Sequence, residues 1–135
     1  MAEQETIFVK MLVPRKPLSV KEVVSVLIPA VEGPYMVLPQ RAPAMKLLKT
    51  GVVVLKDADQ GKTEKFFISA GIAKIRDNAC TILSHNVQNV DEVNMDEIKK
   101  QLTAYREKEE KEIHLDEIDR QKVDFLQMIA GYFAK

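Results

Sequence analysis

Three prolines within ten residues, Pro34, Pro39 and Pro43, constrain this chain more than any other feature. Each fixes its own φ at about −65°, offers no amide donor and pushes the residue before it toward extended backbone. Those preceding residues are Gly33, Leu38 and Ala42. The stretch from Val31 to Pro43 therefore excludes helix and reads as a stiff loop. Tyr35-Met36-Val37-Leu38, between two of the prolines, is too apolar for a solvated loop and too short to fold alone, so it reads as an edge strand on a larger sheet.

The neighbouring segments supply that sheet. Residues 6–13 are β-branched and aromatic, stop at Pro14 and read as a strand. Leu18-Ser19-Val20 reads as a short strand, and residues 23–28 as a strong one that Pro29 is expected to end. Residues 44–49, a turn at Thr50-Gly51, and Val52-Val53-Val54-Leu55 follow, then a polar hairpin tip from Asp57 to Lys62. Residues 65–69, 72–76 and 79–84 complete the set, the last two joined by a turn at Asp77-Asn78. About eight to ten short strands with no helix between them predict an all-β sandwich or flattened barrel over residues 1–90.

After Val90 the periodicity changes. Asn94 is placed to cap a helix with Glu97 three residues on, and no glycine or proline recurs until Gly131. Met95, Ile98, Leu102 and Tyr105 repeat at helical spacing, and Ile118, Phe125, Leu126, Ile129, Tyr132 and Phe133 form a second stripe behind a cap at Asp116. Residues 91–135 thus read as a C-terminal α-helical hairpin whose helices meet near His114 to Asp116, although one long helix satisfies the same pattern. Two narrow stripes facing each other bury too little to hold such a hairpin alone. It needs its own sheet, or another chain, to lean on.

Twenty basic and twenty acidic residues cancel overall. Residues 1–90 hold 12 basic and 8 acidic groups, net +4, and residues 91–135 hold 8 and 12, net −4. Neutrality argues against non-specific grip on nucleic acid or anionic lipid, and one of Phe66 and Phe67 must face inward, leaving a single outward ring as a poor stacking platform. No apolar run approaches the roughly 20 residues of a membrane helix, and no export signal opens the chain, so direct membrane insertion is not expected. The lone Cys80, inside an apolar strand, reads as a small buried hydrophobe in a reducing compartment. His85 and His114 have no Cys or His at ligand spacing, and neither common phosphate loop occurs. No catalytic constellation, metal site or cofactor site is read from these residues. One class they leave open is a β-sandwich binding module whose charged helices dimerise.

The pattern Glu32-Gly33, Pro39 and Ala42-Pro43, with Lys49-Thr50-Gly51, Ser69-Ala70-Gly71 and Thr81-Ile82-Leu83 behind it, resembles the ε subunit of bacterial F-type ATP synthases, the counterpart of mitochondrial δ. Met36 and Gln40 stand where that family carries glycines, and Arg41 where it carries histidine. The resemblance implies a non-catalytic subunit of the central rotor, peripheral on the cytoplasmic face of the bacterial inner membrane, that couples γ to the c-ring during proton- or sodium-driven ATP synthesis. It implies a c-ring-facing loop at Val31, Glu32, Gly33 and Pro34, and γ-facing positions at Arg41 and Lys46. It implies helices that extend into the α/β catalytic head to inhibit hydrolysis. The family's ATP-binding signature has its nearest counterpart at residues 95–100, with Asp96 retained and Lys99 in place of arginine. Lysine cannot make the planar bidentate contact, so the balance is against ATP as a regulatory ligand.

Overall fold

The computed structural model describes residues 5–14, 16–57, 62–111 and 115–133, with backbone alone over 16–20. Nine strands come first: β1 (Ile7–Val13), β2 (Lys16–Ala30), β3 (Gly33–Val37), β4 (Ala44–Leu48), β5 (Gly51–Asp57), β6 (Thr63–Ile68), β7 (Gly71–Arg76), β8 (Ala79–Ser84) and β9 (Val87–Asn89). A 3-10 turn at Val90–Glu92 leads into α1 (Met95–Glu110) and α2 (Glu117–Phe133). The sandwich and the helical hairpin expected from the sequence are both present. The hairpin tip at 58–61 and the helix junction at 112–114, His114 included, lie outside the described residues.

Two expectations are overturned: residues 18–20 and 23–28 are parts of one strand and not two, and Pro29 does not end it, since β2 runs for 15 residues and past Pro29. The missing amide falls where none is needed. On one edge Pro29 faces Pro34, and on the other it lies between the β5 pairing, ending at Leu27 with Val54, and the β4 pairing of Ala30 with Leu48. A proline survives in a strand only at such a gap. β2 then serves two sheets, because its first half pairs with β1 and its second half with β3 and β5. One sheet runs β1-β8-β7-β4, the other β3-β2-β5-β6-β9, with β1 and β8 parallel. Among the described residues β3 pairs with β2 alone, an edge strand as its sequence requires. β9 carries no apolar alternation, and pairing with β6 rather than its own sequence makes it a strand.

Alternate residues fill the space between the sheets: Ile7, Val9 and Met11 of β1, Val26 and Ile28 of β2, Val53 and Leu55 of β5, Ile82 of β8. Cys80 is among them, fully buried, and burial pushes its thiol up to about 12. The opposite face of β5 and β6 is also covered. Val52 pairs with Phe67 there, and Phe67 forms a second cluster with Ile98, Phe125, Leu126 and Ile129 of the helices. Burial on both faces is why Val52 to Leu55 in β5 and Phe66 to Ile68 in β6 read as unbroken apolar runs. Phe67 is therefore not the exposed ring that alternation alone predicts.

Both helix starts form as expected. Asn94 Oδ1 accepts from Asp96 N at 3.0 Å and Glu97 N at 3.3 Å, and Asp116 Oδ1 accepts from Asp119 N at 2.8 Å. The second stripe is shorter than its sequence suggests. Phe125, Leu126 and Ile129 are buried, but Ile118 is 56% exposed.

Candidate functional site

The proline-studded stretch folds into two tied pieces. Ala30 faces Gly33 across a two-residue turn at Val31-Glu32, and Gly33 takes φ +134°, a conformation open only to glycine. The tip is held to β4 by Val31 N donating to Leu47 O at 2.8 Å and by Lys49 N donating to Pro29 O at 2.9 Å. Val31, Glu32 and Pro34 are exposed on it, with Met36 beside them. Beyond β3, Gln40 sits at φ +62°, and its N donates to Asn78 Oδ1 at 3.0 Å. Asn78 also donates from Nδ2 to Thr6 O at 2.6 Å and accepts from Phe8 N at 3.1 Å, so one turn residue fixes the loop and the first strand together. The left-handed backbone at Gln40 explains why the family pattern has glycine there.

Arg41 is exposed in this loop. Lys46 is half-buried; its Nζ lies 4.0 Å from Glu32 Oε2 and 4.6 Å from the Tyr35 ring centroid. The structure thus brings Lys46 to the same corner as Glu32. With Glu32's side chain 86% exposed, that pair contributes little to stability. It orients the tip without locking it.

A second surface was not read from the sequence. Leu47 pairs with Ile72, Ile72 with Leu83, and Leu83 with Leu12, which places four apolar side chains in one row across β4, β7, β8 and β1. The row lies on the outer face, with Leu47 63% exposed and Met45 next to it 61% exposed. Parallel to it, the register Met45, Lys74, Thr81, Lys10 sets two exposed ammonium groups beside the apolar row. A partly visible signal existed: β4 carries apolar residues at both parities, buried Leu48 on one and Met45 with Leu47 on the other. Lys46, between Met45 and Leu47, leaves the strand on the side away from this row. Contiguous exposed apolar surface of this kind marks an interaction site.

Gly71 keeps the two strands under that row in contact, since a Cβ there would meet Leu83 O at 2.0 Å. Where the sandwich meets the helices there is a cleft of about 540 Å³, with His85, Tyr105, Asp119 and Lys122 on its walls. Burial, and then the carboxylates of Asp119 and Asp116, raise the Tyr105 phenol above its ordinary range. Asp96 and Lys99, in contrast, stand on the exposed start of α1, flanking buried Ile98, and neither lines the cleft. Among the described residues no three His, Cys, Asp or Glu side chains are grouped to hold a metal, and no helix is long and apolar enough to cross a membrane.

Comparison with known proteins gives a consistent answer. Residues 6–90 match the family model described as ATP synthase, Delta/Epsilon chain, beta-sandwich domain; the match ends before α1 begins. The chain is 37% identical over 93 residues, 69% of each chain, to the ATP synthase epsilon chain of Rhizobium meliloti. It is 35% identical over 102 residues, 75% of each chain, to that of Rhizobium leguminosarum bv. trifolii. In fold it is similar to a chain of the Euglena gracilis mitochondrial ATP synthase, with TM-score 0.65 and 21% identity over 96% of this chain and 80% of that one. A chain of the Tetrahymena thermophila mitochondrial ATP synthase central stalk and c-ring aligns at TM-score 0.59 and 14% identity, covering 97% of this chain and 98% of its own.

Proposed function

The chain belongs to the delta/epsilon chain family of ATP synthases, and from that premise we propose that it is a non-catalytic central-rotor subunit coupling γ to the c-ring. The observation that carries the reading is the uncovered row Leu47, Ile72, Leu83 and Leu12. The helices cover the outer face of β5 and β6, while the outer face of the β1-β8-β7-β4 sheet keeps its apolar side chains in water. A surface of that chemistry is stabilised by a protein partner, and γ is the partner the family implies. The family also implies γ-facing positions at Arg41 and Lys46, of which Lys46 stands beside Glu32 rather than in the row, and Val31, Glu32, Gly33 and Pro34 form the tip that meets the c-ring. A tip pinned by two backbone hydrogen bonds and a glycine-only turn suits a contact that must transmit torque. Residues 1–90 then form the seated domain and residues 91–135 a movable one, peripheral to the bacterial inner membrane on its cytoplasmic face, whose helices brake hydrolysis by reaching the α/β head.

Gel filtration with purified γ tests the assignment: a stoichiometric complex is expected, and Leu83→Glu should abolish it while the isolated chain keeps its melting temperature. Failure of the unsubstituted chain to bind γ would overturn the assignment. Deleting residues 91–135 and measuring hydrolysis by the assembled enzyme tests the brake, which unchanged hydrolysis rules out. For Asp96 and Lys99, we expect no thermal shift with ATP and magnesium, and a clear shift would restore them as a nucleotide site.

A further inference from the structure

The apolar face that α2 lays on the sandwich ends in a charge. Phe125, Leu126 and Ile129 are each at most 3% exposed. Lys122, three residues before Phe125 and four before Leu126, lies on that same helix face. Its Nζ stands 5.6 Å from the Phe125 ring centroid and donates to Asn86 Oδ1 at 3.2 Å. Asn86 is held in turn. Its Nδ2 donates to Ser69 Oγ at 3.3 Å and its backbone N to the same oxygen at 3.2 Å. Ser69 is fully buried, with its Oγ 2.9 Å from Ser84 Oγ. A chain of polar groups therefore runs from the interior of the sheet to one lysine on α2.

We propose that the Lys122–Asn86 bond is the latch that sets where α2 docks on the sandwich, and that releasing it frees the helical hairpin while the sheet stays intact. Apolar contacts around Phe67 favour burial but are non-directional, so they tolerate sliding and rotation of the helix. A charge-assisted hydrogen bond has narrow geometry and fixes one position. The donor of Asn86 spent on Ser69 keeps its carbonyl oxygen turned toward the lysine. Lys122 and Asn86 both line the cleft of about 540 Å³, so water and ions reach the bond between them, while the Ser69–Ser84 end of the polar chain is buried.

Hydrogen exchange of the full chain tests this. Lys122→Met keeps the length and the apolar stem while removing the charge. Amides of α1 and α2 should exchange at least about tenfold faster, the scale of a lost hydrogen bond to a charged group, with β1 to β8 unchanged. Asn86→Asp should act in the opposite direction, slowing helix exchange at low salt and losing that gain at about 1 M salt, where an ion pair is screened. Helix exchange in Lys122→Met that is unchanged or slowed, or that rises equally in the sheet, would overturn the proposal. So would faster helix exchange in Asn86→Asp at low salt.

Discussion

Replacing Phe67 with alanine separates the two halves of this molecule. The ring is fully buried, yet it points away from the space between the sheets and into the helices, edge-on to Tyr132 at 5.1 Å and Phe133 at 5.9 Å. Truncating a buried phenylalanine costs about 3–5 kcal/mol, part of it the two aromatic contacts at about 0.5–1.5 kcal/mol each. Because the sandwich interior is built from Ile68, Val53 and their neighbours, that loss falls on the docking of α1 and α2 and not on the sheet. Helix amides should then exchange faster by about two to three and a half powers of ten, since each 1.4 kcal/mol is tenfold, while strand amides keep their protection. Phe67→Leu, which retains most of the volume, should cost less than about 1.5 kcal/mol. If helices and strands in Phe67→Ala lose protection together, the two clusters are one cooperative core and the reasoning fails.

Three further outcomes are expected. Gln40→Gly should raise stability by about 0.5–1 kcal/mol, because glycine relieves left-handed backbone, while Gln40→Val should lower it; a denaturant midpoint that moves the other way contradicts the geometry. Gly71→Ala should cost several times the effect of an ordinary surface substitution, on the order of 2–4 kcal/mol, since the Cβ meets the backbone at Leu83 O, and a neutral result would show that β7 and β8 can part. Cys80, its thiol pushed up to about 12, should resist alkylation at neutral pH until the sheet opens. Its contribution to stability is complete below the ordinary thiol range and is lost as pH rises toward that raised value, so Cys80→Ala should flatten the alkaline limb of the stability curve.

Local rules made much of this protein legible. Period-two alternation with prolines at the joints predicts the strands, and capping residues at Asn94 and Asp116 with apolar residues at helical spacing predict the helices. The burial of Cys80 follows from the same kind of reading, whereas Gly33, expected in ordinary extended backbone before Pro34, takes a positive φ set by the turn. Each legible feature depends on a residue and its near neighbours in sequence, which is why it can be read without coordinates.

Partners distant in the chain decided the rest. Pro29 lies inside a strand because two different strands leave a gap opposite it, and Val87–Asn89 is a strand because β6 needed a neighbour. Phe67 is buried because α2 chose that face. The row of Leu12, Leu47, Ile72 and Leu83 exists only in the register of four strands, so residues up to 71 positions apart become one surface. Sequence sets what each segment prefers to bury; which segment meets it, and which face is left for another molecule, is fixed only when the chain closes on itself.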